Sequence, residues 1–102
     1  MFKAMIMLTR GVDMSHEDFK TWWLGQHQPL AKQLPGVKKI RFNVIEQDET
    51  APCDGIAELW FDSQEAFTAA YTTEIGKTVA ADSLAHVAGR VRMFTEEIDV
   101  LG

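Results

Sequence analysis

The chain opens on FKAMIML, where apolar residues fill both alternating faces, Phe2, Ala4, Ile6 and Leu8 on one and Met5 and Met7 on the other. A strand covered on both sides has this pattern. TRGVDM supplies turn residues, and Ser15 with Asp18 three positions on forms a capping box for a helix from about His16 to Gln33, which Pro35-Gly36 stops. VKKIRFNVIEQ alternates as a second strand, DETAPCDG is a polar connection, and GIAELWF is a third strand, short and aromatic. Asp62 or Ser63 can cap a second helix through about Tyr71. Thr72-Thr73 and Gly76 predict a break before a further helical piece ending near Gly89. RVRMFTEEIDVL reads as a fourth strand, frayed at its acidic end. The order β-α-β-β-α-β is the ferredoxin-like split arrangement: an α+β fold with a four-stranded antiparallel sheet and helices on one face, residues 1–102 forming a single domain.

Within the first helix, a turn of about 100° per residue gathers Phe19, Trp22, Trp23, Leu30 and Leu34 into one stripe, with Gln26 and His27 on its shoulders. Both polar side chains are expected to point inward. Pro29 has no N–H for the carbonyl of Gly25 and its ring crowds that carbonyl, so a bend is expected there, which Gly25 accommodates. The predicted result is a free carbonyl and an imidazole facing the sheet across a gap, a polar spot in an apolar pocket.

The helices of this arrangement cover one sheet face and leave the other bare, yet both faces carry large apolar groups, Met5, Met7, Ile56 and Trp60 on one and Ile6, Leu8, Leu59 and Phe61 on the opposite one. Soluble monomers seldom leave so much contiguous apolar surface in water, so a homodimer closed sheet against sheet is expected.

Composition narrows the function. The 102 residues are 46% hydrophobic and 25% charged, which suits one globular domain, and the net charge of −5 with scattered basic residues argues against a nucleic-acid partner. AMIML, the longest apolar run, is far short of the roughly 20 residues that cross a bilayer, and the N-terminus lacks a secretion-type cleavage site, so no membrane association and a cytoplasmic location are expected. The single cysteine, Cys53, has no internal disulfide partner, the three histidines are widely separated, and no Gly-rich phosphate loop is present. No metal and no cofactor are therefore expected.

The stretch EDFKTWWLGQHQPLAKQLPG, with Phe19, Trp22, Trp23, His27, Pro29, Leu30 and the exit Leu34-Pro35-Gly36, resembles the EthD-like branch of the dimeric α+β barrel proteins. AELWFDSQEAF and TEIGKTVAADSLAHVAG, with Gly76-Lys77 and Asp82, extend the resemblance over nearly the full chain. The resemblance implies a homodimer in which each subunit keeps a pocket between helices and sheet. Members include an accessory protein of ether degradation, a methylmuconolactone methylisomerase and dehydratases of aromatic polyketide pathways, and related barrels include cofactor-free monooxygenases. Fold follows from such a resemblance more firmly than reaction does.

An imidazole with an unperturbed pKa near 6.5 can accept or donate a proton at neutral pH, which makes His27 the candidate acid/base. The competing reading is a core histidine bonded to a backbone carbonyl such as that of Gly25. Glu58, between Ile56 and Trp60 on one strand face, needs a partner if buried; His27, Arg41 and Arg92 are candidates, and a carboxylate that orients an imidazole would fix its tautomer. A structural ion pair is the plainer reading of Glu58. Trp23, Gln26, Leu30, Trp60 and His86 are candidate ligand-binding residues, His86 at a pocket mouth, although tryptophans at such spacing also serve as plain core. His16 is expected exposed and Cys53 to be a bystander thiol. Three functions compete: cofactor-free isomerisation or dehydration of a hydrophobic or aromatic metabolite, an oxidoreductase-type role as monooxygenase or ether-degradation accessory, and a non-catalytic ligand-binding module.

Overall fold

The computed structural model describes all 102 residues. Strand β1 (Phe2–Arg10) leads to helix α1 (His16–Trp22), a π-helical turn (Trp23–His27) and helix α2 (Gln28–Ala31). Strands β2 (Lys39–Val44) and β3 (Gly55–Trp60) follow, then helices α3 (Gln64–Tyr71) and α4 (Glu74–His86), which runs directly into strand β4 (Val87–Glu96). The sheet order is β2-β3-β1-β4 and every neighbouring pair is antiparallel.

The local signals act as their chemistry requires. Ser15 accepts from the Asp18 backbone N–H while the Asp18 carboxylate accepts from the Ser15 N–H, closing both halves of the capping box. Ser63 caps α3 and Thr73 caps α4 through the side-chain oxygen alone, which accepts from the Ala66 and Gly76 backbone N–H respectively. Two boundaries differ from the sequence expectation. Helix α4 ends at His86 and β4 begins at Val87, because β1 extends to Arg10 and offers its free edge to residues 87–89. Gly76 lies inside α4, and the break falls at Thr72-Thr73 alone. A Cβ at Gly76 would overlap the Ala70 carbonyl, so this glycine lets α4 cross the end of α3 at close range.

The alternation of β1 sorts cleanly, with Ala4, Ile6 and Leu8 buried under the helices and Met5 and Met7 only partly covered. The core joins these residues to Phe19, Trp22, Trp23, Leu34, Ala57, Leu59, Phe61, Phe67 and Val79. Trp23 is fully buried and its benzo edge sits against Gly55, where any Cβ would lie within 2.7 Å of the ring. Helices cover one face only, and the thinnest dimension of the molecule is 19 Å, that of two layers.

The open face carries Met5, Met7, Ile56, Val91 and Met93 as an apolar patch, with Val91 53% and Met93 38% exposed. It is not apolar throughout. Lys3 bridges Glu58 at 3.0 Å and Glu97 at 3.3 Å, and Glu97 accepts the Trp60 indole N–H at 2.9 Å, a polar belt across the sheet.

Candidate functional site

The interruption expected around Pro29 takes a specific form. The Gln28 N–H reaches the Trp23 carbonyl, five residues back, so the helix widens into a π turn one step before the proline that could not have continued the α pattern. Gly25 and Pro29 are exposed, with open space around the Gly25 Cα. The expectation of a free Gly25 carbonyl facing the sheet is therefore corrected: the widened turn presents a side chain, that of His27, to the interior.

His27 is 6% exposed. Its Nδ1 lies 2.9 Å from Oδ2 of Asp82 on α4. The same carboxylate accepts from the Trp22 indole N–H at 3.1 Å and from the Gln26 amide at 2.6 Å, and its side chain is 9% exposed. Burial alone would raise the Asp82 pKa, but the hydrogen bonds from His27, Gln26 and Trp22 outweigh it and hold the acid below the ordinary aspartate value. An ionised carboxylate only accepts, so Nδ1 carries the imidazole proton and Nε2 keeps its lone pair. Burial is also the largest influence on His27 and outweighs the raising effect of Asp82, so the imidazole pKa falls below its usual 6.5. At neutral pH the ring is an uncharged base, aligned by a carboxylate.

Nε2 lies 3.4 Å from the Ser83 hydroxyl, and both residues line a cavity of about 20 Å3 beneath the π turn. That space holds about one water. Apolar walls from Trp23, Phe42, Leu59 and Val79 surround it, and Tyr71 and Arg90 add polar ends. The Phe42 ring stacks on Trp23 at 4.3 Å and nearly parallel, and separates this cavity from an open groove of about 480 Å3 along β2. Burial raises the Tyr71 pKa against the lowering effect of Arg90 and Arg92, which keeps the phenol protonated. The Trp23 Nε1 is a buried side-chain donor with no partner.

Comparison with known proteins places this arrangement. The EthD domain matches residues 12–89, well over half of the chain, and spans the whole His27–Asp82 constellation. The chain belongs to the EthD family. An uncharacterized 11.0 kDa protein of the thcB-thcC intergenic region in Rhodococcus erythropolis is 28% identical over 104 residues, covering 99% of each chain. The crystal structure of an EthD family protein from Bacillus halodurans superposes with a TM-score of 0.82 at 21% identity, over 96% of this chain and all of that one. A dimeric ferredoxin-like protein of unknown function from Thermobifida fusca gives 0.75 at 13% identity, over 92% and 88% of the two chains. No helix of this EthD chain is long and apolar enough to cross a membrane.

Within this EthD fold the residues singled out by sequence fall into three places. His27 and Trp23 line the cavity. Gln26 and His86 instead flank Asp82 from outside. Gln26 is exposed rather than inward, and His86 stacks on Trp22 at 4.7 Å with Nδ1 2.7 Å from the Asp82 carbonyl oxygen. Leu30 joins the edge of the core without reaching the cavity. Glu58 and Trp60 occupy the opposite sheet face, because Ala57 and Leu59, their alternating neighbours, are the ones under the helices. Glu58 therefore does not orient His27; it bonds Lys3 and Asn43 at 3.0 Å each, and those contacts hold its pKa low. Arg92 lies on the helix-facing side, over Phe94, and is no partner for Glu58. His16 is half-buried rather than exposed, with Nδ1 2.8 Å from buried Asp54. Cys53 is buried within the connection between β2 and β3, and burial pushes its thiol pKa up. Asp82, Ser83, Tyr71 and Arg90 were not singled out as site residues by sequence. The available signal was that a buried imidazole needs a carboxylate and that Val79, Asp82, Ser83 and His86 share one side of α4.

Proposed function

We propose that this EthD protein performs cofactor-free acid/base chemistry, an isomerisation or dehydration, on a hydrophobic or aromatic small molecule, with His27 Nε2 as the base. One observation carries the reading: a 2.9 Å bond to Asp82 fixes the proton on Nδ1 and leaves a lone pair on Nε2 beside an apolar cavity. Asp82 holds the tautomer and stabilises the imidazolium that forms when Nε2 takes a proton, as a carboxylate does for a catalytic histidine. The cavity fits about one water, whereas small-molecule pockets are commonly several hundred Å3, so substrate binding requires Phe42 or its neighbours to move. The test is proton exchange in D2O, followed by NMR over a panel of lactones, enolisable ketones and phenols. Exchange by the parent that falls at least about 100-fold in His27→Gln, without oxygen, supports the reading. Equal exchange by both, or strict dependence on O2, refutes it.

A homodimer is part of the same proposal. The apolar patch of Met5, Met7, Ile56, Val91 and Met93 on the open sheet face supports it, as does the dimeric state named for the Thermobifida fusca relative. Sedimentation should find a dimer, and Val91→Asp should shift it to monomer; a strictly monomeric parent refutes the assembly.

A further inference from the structure

Of the ten lysine and arginine side chains, only Lys3, Arg10, Lys20 and Arg90 are withdrawn from the fully exposed surface. Three of these meet a carboxylate: Lys3 pairs with Glu58 and Glu97, Arg10 with Asp54, and Lys20 with Glu17. Arg90 meets none. Its guanidinium donates no hydrogen bond to the protein and lies over no aromatic ring, unlike Arg92, which sits over Phe94 at 4.6 Å. Arg90 is half-buried, so solvent still reaches its guanidinium, and with no carboxylate beside it in the protomer its N–H donors stay open to a ligand.

The position of Arg90 gives those donors a use. It stands opposite Leu8 in the β1–β4 register, on the helix-facing side, and lines the same cavity as His27. Beside it Tyr71 presents a hydroxyl that makes no hydrogen bond, and the Trp23 indole of the same wall keeps an N–H without an acceptor. The cavity therefore offers an excess of donors and one base. Across Phe42, the open groove along β2 carries Lys32, Lys38 and Lys39, with Lys38 only loosely paired to Asp62 at 3.7 Å. Three cations at the groove of a chain whose net charge is −5 form a local field that attracts anions.

We propose that Arg90, with the Tyr71 hydroxyl, forms a carboxylate subsite, so that the substrate of the His27 site is an organic acid whose apolar body lies against Trp23 and Phe42. The proposal rests on the reading of His27 as the base and names the substrate class that base serves. The planar fork of the guanidinium suits two-point binding of a carboxylate, and the surrounding apolar walls strengthen that contact.

The experiment titrates the full chain with benzoate and cinnamate and, in parallel, with their neutral amides benzamide and cinnamamide, reading affinity from NMR shifts of the His27 ring. The parent should bind the acids about 10- to 100-fold more tightly than the amides, the range for a charge-assisted pair. Arg90→Met should abolish that preference while remaining at least as stable as the parent, since no protein partner of Arg90 is lost, and Arg90→Lys should retain part of it. Equal binding of acids and amides by the parent, no binding of either, or an unchanged preference in Arg90→Met overturns the subsite. The two proposals fail separately. Acid preference in a parent that catalyses no proton exchange on any compound leaves the subsite standing and removes the base. Exchange on neutral ketones by a parent that shows no acid preference does the reverse.

Discussion

Removing the Asp82 carboxylate should cost far more than an aspartate near a helix end normally does. In Asp82→Ala the Trp22 indole N–H and the His27 Nδ1–H both lose their acceptor, and each parent residue is 6% exposed. A buried donor left unmet costs about 1–3 kcal/mol, so the two together cost about 2–6 kcal/mol. Gln26 adds little, because its exposed amide turns to water. The better helix propensity of alanine returns about 0.5 kcal/mol, leaving a loss of about 1.5–5.5 kcal/mol. Urea unfolding measures it directly, and at about 4–8 °C per kcal/mol for a domain near this size the thermal midpoint should fall by at least about 6 °C. Asp82→Asn is the control. Its amide oxygen can still face Trp22 and His27 while its NH2 turns to Gln26, so it should lose less than half as much. A loss below about 1 kcal/mol in Asp82→Ala would refute the claim that this acid holds the site together.

The pH dependence of stability should follow His27. Its pKa is lowered on folding, so the unfolded chain binds the proton first; stability is complete above the unfolded value of about 6.5 and falls as pH drops below it, and His27→Gln should flatten that limb of a urea–pH series. Gly25→Ala should be neutral or stabilising by up to about 1 kcal/mol, since Gly25 has helical surroundings and open space, whereas Gly76→Ala should destabilise by more than about 1 kcal/mol through its clash with the α3 end. Paired thermal melts check both. Glu58→Ala should cost about 1–3 kcal/mol by leaving Lys3 with Glu97 alone, yet leave proton exchange by the site unchanged, which the D2O assay reads.

The strands and the first helix were legible because their signals are local: alternation in β1, a capping box at Ser15, and a proline-glycine stop. Even the irregularity of the long helix was visible in Gly25 and Pro29, but not its form, since a bent α-helix and a π turn place the same residues at the same breaker. The partner of His27 was sought on a strand, where an acid among apolar neighbours stands out. Period-two alternation can show that Glu58 shares a face with Trp60 without showing which face the helices cover. Asp82 is less conspicuous because an acid on a helix is ordinarily solvated, and its pairing with His27 bridges 55 positions. Arg90 was hidden by a boundary. Sequence placed Arg90 at the very start of β4, where alternation has no preceding residues to fix its phase; its pairing with buried Leu8 is what turns it inward.

The central claim is a protonation state, and nitrogen-15 NMR of the His27 ring in the native protein reports it without any knowledge of substrate. At pH 7 the account predicts a neutral ring with the proton on Nδ1, a bare Nε2, and conversion to imidazolium with a midpoint below pH 6.5. A ring protonated on Nε2, or already charged at pH 7, would contradict it.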